Sequence, residues 1–253
     1  MNGFSVSGTK ECRSKAEELA QRLGVVFSEN EPDRENLALF MEENGLSLRK
    51  NGMILKADLT EMLPRLKQSN LEREMLVKAV RIKGKKNLSI IDATAGFGED
   101  SVILAAAGHD ITMFEYNPVI YELLSDALTR AKEDERLAKT VAAMHLFNED
   151  SVSAMRKMKE EGSMVDVILL DPMFPERQKS ASVKKKFQLI HELEAPCSNE
   201  NDLLEAALSL NAGKIVIKRP AKGPFLGGCK PDYSVEGKAI RYDIIFGKNI
   251  EIK

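Results

Sequence analysis

The sequence predicts an α/β protein in which a parallel sheet, covered by helices on both faces, follows a small α+β unit. Two features carry this expectation. From about Leu71 onward, short apolar runs alternate with stretches of helical periodicity, the pattern of strands and helices taking turns along a chain. Ahead of residue 66 the pattern differs, with one helix followed by short strand-like runs and an Asn51-Gly52 turn signal. The expected division is residues 1–65 for the small unit and 66–253 for the main domain.

In the small unit, Ala16, Leu19, Ala20 and Leu23 share one helical face and Gly24 provides the stop. The runs Leu37 to Phe40, Leu46 to Lys50 and Met53 to Ala57 read as strands, the last two joined by Asn51-Gly52, both of which tolerate positive φ. Pro64 and the polar run Lys67 to Asn70 mark a joint. Beyond it the sequence predicts a helix from Leu71 to Val80, a strand Leu88 to Asp92 and a helix through Val102 to Ala105. Further expected elements are a strand Ile111 to Glu115, a helix through Val119 to Leu128, a short strand near Met144 to Phe147, a helix from Ser151, and buried strands at Val165 to Asp171 and Lys214 to Lys218. Apolar strands of this kind belong to parallel sheets buried on both faces. The segment from Tyr233 to Ile252 is expected to close one edge with two or three antiparallel strands, turning at Gly237 and Gly247.

Composition narrows the function. The chain has 253 residues, 43% of them hydrophobic, enough for one substantial core and a minor appendage. Its 37 basic residues nearly cancel 39 acidic ones, so a polyanion could be held only by a local patch. Cys12, Cys197 and Cys229 lack metal-ligand or disulfide-framework spacing, and His109, His145 and His191 share none either, so no metal is expected. The N-terminus lacks the basic start and apolar run of a signal peptide, and no run is apolar enough for a membrane span, so a soluble protein of the reducing cytoplasm is expected.

Open parallel sheets bind ligands beyond the carboxyl ends of their strands, and this sequence puts polar residues at four of them. At the first, Asp92 precedes Gly96-Phe97-Gly98, whose glycines permit close approach of a ligand to the backbone. Glu99 and Asp100 follow directly; two carboxylates at a helix start repel a pyrophosphate, which disfavours a dinucleotide and favours a ligand with a cationic or amino-acid end. The bland alternative is a tight turn capped by Asp100. At the second, Glu115 is placed to accept hydrogen bonds from the ribose of an adenosine, or else merely to face the helix begun by Asn117-Pro118. At the third, Asp150 could receive an adenine amino group or cap the helix starting at Ser151. At the fourth, Asp171-Pro172-Met173-Phe174-Pro175 forms a stiff loop. Asp171 and the Pro172 carbonyl can accept both hydrogens of an exocyclic amino group while Phe174 stacks on its base, aiming the nitrogen at an electrophilic methyl.

These motifs, with Glu115-Tyr116-Asn117-Pro118, Gln178 to Lys185 and Val216 to Pro220, closely resemble the ribosomal RNA small subunit methyltransferase J family over about residues 70 to 246. The resemblance implies a Rossmann-like class I S-adenosylmethionine-dependent methyltransferase fold and methylation of a guanine N2 amino group in 16S rRNA. It implies cofactor contacts from Glu99, Asp100, Glu115, Tyr116, Asp150, Ser151 and Asp171, beside Asp92, Gly96 and Gly98 of the glycine loop, with Asp171, Pro172 and Phe174 catalytic. The glycine-rich basic stretch that often precedes the helix at Leu71 in that family is replaced here by Gln68-Ser69-Asn70-Leu71-Glu72-Arg73-Glu74.

Local charge agrees with an RNA partner, either 16S rRNA or the small ribosomal subunit. Arg177, Lys179, Lys184, Lys185 and Lys186 lie just after the fourth loop without an intervening acid, and Lys218 and Arg219 belong to a second basic stretch between Lys214 and Arg241. Two other functions fit the same loops: an adenine-N6 methyltransferase acting on DNA or another RNA, and an RNA-binding assembly factor that has lost turnover.

Overall fold

The computed structural model describes residues 4–30, 35–172, 189, 193 and 200–247. Its first sheet contains β1 (Ser5–Gly8), β2 (Val26–Phe27), β3 (Ala38–Glu42), β4 (Gly45–Lys50) and β5 (Met53–Leu55), in the order β2-β1-β3-β4-β5. Helix α1 (Arg13–Leu23) links β1 to β2, which run parallel; β3, β4 and β5 form an antiparallel meander. The turn before β5 is Asn51-Gly52, with φ of 52° and 71°, the backbone that those two residue types were expected to supply. The sequence pattern does not reveal β1, because Ser5 and Ser7 break its apolar run, yet β1 lies inside the sheet and Val6 is fully buried.

The predicted single helix from Leu71 to Val80 is two: α2 (Gln68–Leu71) and α3 (Met75–Val80). Between them Glu74 is extended (φ −58°, ψ 127°), and Arg65 holds its carboxylate through two hydrogen bonds of 2.8 and 2.9 Å. This tertiary pair outweighs helical periodicity. Lys214, expected on a basic surface, is buried and donates to the carbonyls of Ala79 and Arg81 at the end of α3.

The second sheet comprises β6 (Ser89–Asp92), β7 (Asp110–Phe114), β8 (Met144–Phe147), β9 (Val167–Leu170), β10 (Lys214–Pro220), β11 (Tyr233–Glu236) and β12 (Ile240–Phe246). Its order is β11-β12-β10-β9-β6-β7-β8. All pairings from β10 to β8 are parallel, whereas β12 runs antiparallel between β10 and β11. The expected antiparallel closure of one edge is present as two strands, β12 next to β10 and β11 outermost. Along β6, β9 and β10 successive side chains enter opposite cores. Ile90, Val167, Leu169 and Val216 pack with α3, α4 (Glu99–Ala106) and α5 (Pro118–Glu133), while Ile91, Ile168, Leu170, Ile215 and Ile217 pack with α7 (Ser151–Glu160) and α8 (Glu200–Ser209). The short α6 (Ala138–Val141) completes the helices among the described residues. The first core continues into the N-terminal sheet, joining Val6, Leu39 and Leu48 to Leu123, Leu124 and Ala127 of α5. Arg22 of α1 also pairs with Glu122 of α5. No described helix is long and apolar enough to cross a membrane.

This topology brings the ends of β6, β7, β8 and β9 to one edge, and Asp92 ties the first of them down. Its carboxylate accepts from Ser101 Oγ at 2.6 Å and Thr94 N at 3.1 Å and is almost inaccessible. Burial pushes its carboxyl up to about 6 from 3.8, against the pull of the Ser101 and Thr94 hydrogen bonds. A raised acid stabilises the fold most when protonated, and that contribution is lost as pH rises through the folded value. Asp92→Asn is therefore expected to remove a slope in thermal midpoint between about pH 4 and 6, worth roughly 3 kcal/mol; an unchanged slope in thermal unfolding scans would contradict the burial of a charged group here. A second expectation concerns Gly98, at φ 74° with Leu124 Cδ1 2.8 Å from where a Cβ would stand. Gly98→Ala should cost about 1–2 kcal/mol from the left-handed backbone alone, measured by urea unfolding.

Candidate active site

The loop between β6 and α4 is held by its neighbours on both sides. Ala93 N donates to Leu169 O, Ala95 N to Phe114 O, and Gly96 N to Glu115 Oε2 at 3.0 Å. Gly98 is the residue before α4 and makes no side-chain cap bond, so Asp100 is not the cap that a simple turn would use. A Cβ on Gly96 (φ 53°) would meet no atom closer than Thr94 O at 4.0 Å, leaving open space over the loop. Such a cradle fits a ligand lying against the backbone.

The remaining strand ends surround this space. Glu115 is buried; Oε1 accepts from Asn117 N at 2.8 Å while Oε2 accepts from Gly96. The two readings of this residue therefore coexist: it braces the next helix start and also reaches the glycine loop, and a carboxylate has lone pairs for further donors. Asn117 caps α5 by accepting from Val119 N and Ile120 N, and its amide donates to Leu193 O. Tyr116 is 58% exposed and Phe147, at the end of β8, 44%, two aromatic faces turned outward at the same edge. Asn148 Nδ2 donates to Glu115 O. Asp150 caps α7, accepting from Ser153 N at 2.9 Å and Ser153 Oγ at 2.6 Å, with Ser151 buried behind it. The capping function of Asp150 is thus present, and its exposed position leaves it accessible to a ligand as well.

Asp171 follows the fully buried β9. Its N–H donates to Thr94 Oγ1 at 2.7 Å, which ties this strand end to the glycine loop. Its carboxylate, 38% exposed, pairs with Lys218 Nζ at 2.8 Å, and the same ammonium reaches Asp100 Oδ2 at 2.7 Å. Burial pulls the Lys218 pKa down, but Asp100 and Asp171 outweigh it and hold the ammonium charged well above the usual lysine range. Tyr242, opposite Lys218 in the β10–β12 register, is buried beside it, and burial keeps its hydroxyl neutral. Pro172 is buried; Phe174, Arg177, Lys179, Lys184, Lys185 and Lys186 lie outside the described residues.

Lys218 and Arg219, expected as RNA contacts, both have partners within the chain. Lys218 is engaged by two carboxylates, and Arg219 is almost entirely buried, donating to Pro224 O and facing Glu200 at 3.5 Å. Arg241 stands opposite Arg219, pairs with Asp243, and donates to the carbonyls of Pro220, Ala221 and Gly223. These arginines hold the loop after β10 by its carbonyls. Lys222, Lys230 and Lys238 are the exposed bases of the stretch. The sequence placed Thr94 and Asn148 in two of the loops without a role for either, and gave no notice of Ser101 or Tyr242. Ser101, three residues into α4 from Gly98, carries a usable signal, because a hydroxyl on an otherwise apolar helical turn needs a buried acceptor.

Residues 18–247 match the family model described as "Putative SAM-dependent methyltransferase". The chain is 38% identical over 246 residues to the ribosomal RNA small subunit methyltransferase J of Acinetobacter baylyi, covering 92% of this chain and 89% of that protein. It is 40% identical to the protein of the same name from Marinobacter nauticus, over 88% of this chain and 81% of that one. A crystal structure of a SAM-dependent methyltransferase from Neisseria gonorrhoeae superposes with a TM-score of 0.78 at 26% identity, covering 98% and 97% of the two chains. The fold is therefore that of a Rossmann-like, class I methyltransferase, and the cofactor is S-adenosyl-L-methionine. Open space over Gly96 and the carboxylates of Glu99, Asp100 and Asp171 suit a ligand that carries positive charge on sulfur and on an amino-acid nitrogen. With a glycine-loop cradle, an acidic strand edge and relatives alike over most of their length, this chain belongs to the ribosomal RNA small subunit methyltransferase J family of S-adenosylmethionine-dependent methyltransferases.

Proposed function

We propose that the protein methylates the exocyclic N2 amino group of a guanine in 16S rRNA, as free RNA or within the small ribosomal subunit, in the cytoplasm. The observation that carries this reading is the placement of Asp171: its backbone is bonded to the glycine loop through Thr94 and its carboxylate stands half-open at the same edge. The names of the relatives support small-subunit rRNA as the substrate.

The cofactor supplies an electrophilic methyl on a sulfonium. The chain's residues have to orient a weak nucleophile, because the lone pair of a guanine amino group is delocalised into the ring. Asp171 and the carbonyl of Pro172 accept its two N–H bonds, turning the lone pair toward the methyl; Phe174 stacks on the base. When the nitrogen takes the methyl that the cofactor would supply, the Asp171 carboxylate would accept the proton that the nitrogen gives up and pass it to water. Glu115 and Asp150 take the ribose and adenine of the cofactor, with Tyr116 beside them. Arg177, Lys179, Lys184, Lys185 and Lys186 hold RNA phosphates, and residues 1–65 form a unit appended to the methyltransferase domain of residues 66–253.

Labelled S-adenosylmethionine and small subunits from cells lacking the enzyme should yield N2-methylguanosine in 16S rRNA after nuclease digestion. Label in N6-methyladenosine would favour the adenine-directed alternative, and no transfer to any ribosomal substrate would remove the reading. Asp171→Ala is expected to lower kcat by at least about 100-fold while cofactor affinity, followed by calorimetry, stays measurable. Turnover at the wild-type rate would exclude Asp171 from the chemistry.

A further inference from the structure

The sequence marks Lys218 as a phosphate contact, and the structure gives it different work. Its ammonium lies 2.7 Å from Asp100 Oδ2, in the first turn of α4, and 2.8 Å from Asp171 Oδ2, beyond the end of β9. One cation therefore joins the helix that opens at the glycine loop to the carboxylate that receives the substrate amino group. We propose that Lys218 is a positioning residue for methyl transfer: it fixes the plane of the Asp171 carboxylate against the glycine loop and keeps that carboxylate ionised. The inference rests on the role assigned to Asp171 above.

Three features of the surroundings support it. Asp171 is held by its N–H on Thr94 Oγ1 and by a carboxylate oxygen on Lys218, so its carboxylate is oriented relative to the glycine loop. Lys218 comes from β10, whose neighbours β9 and β12 fix its height in the sheet; Lys218 and Tyr242 are opposite one another in register. Several charged or titratable groups among the described residues lie around the pair. Asp100 and Asp92 are the acids, Tyr242 is neutral beneath, and Arg65, which lies near Asp100, has its guanidinium on Glu74. With Lys218 neutralised, Asp171 would sit near the carboxylate of Asp100, and mutual repulsion would drive its carboxyl toward protonation. A protonated Asp171 can accept less well and cannot take the proton released by the amine.

The experiment uses the full chain with Lys218→Met, Lys218→Gln and Lys218→Arg. Both neutral variants are expected to lose kcat by about 10- to 100-fold with KM for the ribosomal substrate within about 3-fold. The acidic limb of their kcat–pH profiles should move to higher pH. Lys218→Arg should restore the limb and most of the rate. In the cofactor-free protein, carboxyl 13C NMR should show the Asp171 titration moving upward in Lys218→Met or, if that variant does not fold, in Lys218→Gln. Wild-type kcat in a neutral variant, or lost activity with neither the pH limb nor the Asp171 titration displaced, would overturn the proposal. If the wild-type protein itself transfers no methyl to small subunits, the failure lies in the proposed function; the NMR titration still decides whether Lys218 governs the ionisation of Asp171.

Discussion

Strands with apolar side chains on both faces can present polar groups only where they end. In β6 and β9 every side chain entering the two cores is aliphatic, and polarity begins at Asp92 and Asp171. Among the described residues, the polar strand ends are consequently gathered at one edge of this sheet. Because β6 lies between β7 and β9, the turn that follows it is supported from both sides, with Ala93 bonded to Leu169 and Ala95 to Phe114. Removing that lateral support would leave the glycine loop to its own torsional freedom, which is large.

The same edge is cross-linked by side chains. Glu115 receives the Gly96 N–H, Thr94 receives that of Asp171, and Lys218 joins Asp171 to Asp100. Each bond connects two different elements, so the loops are held relative to one another rather than one at a time. Preorganisation of this sort is what methyl transfer requires, since little covalent work is asked of the protein beyond orientation and electrostatic support.

Charge is distributed unevenly over the chain. Acids face the space over the glycine loop, where a cationic cofactor belongs, and the bases Lys222, Lys230 and Lys238 are exposed on the stretch around the loop after β10 and β11. Bases that are drawn inward instead have structural partners: Lys214 takes carbonyls at the end of α3, and Arg219 and Arg241 take the carbonyls of the loop after β10. An overall formal charge of −2 conceals this arrangement. The N-terminal sheet contributes packing, its Leu39 and Leu48 sharing a core with α5, the helix that Asn117 caps beside Glu115.

Much of this was legible in the chain alone, for a local reason. Alternating apolar strands and amphipathic helices, the Asn51-Gly52 turn, Gly96 and Gly98 before a helix, and acids at four strand ends all follow from side-chain periodicity and backbone torsion, which neighbouring residues determine. The resemblance carried by Asp92 to Asp100 and Leu170 to Pro175 pointed to the family for the same reason. Tertiary structure alone decided what depends on partners distant in sequence. It put the serine-rich β1 inside a sheet, broke the expected helix at Glu74 through Arg65, and inserted β12 between β10 and β11. It also gave Lys218 two carboxylate partners, Asp100 and Asp171, and drew Arg219 inward onto the carbonyl of Pro224. A lysine reads as surface charge until the fold brings Asp100 and Asp171, 118 and 47 residues away in sequence, within hydrogen-bond reach of it.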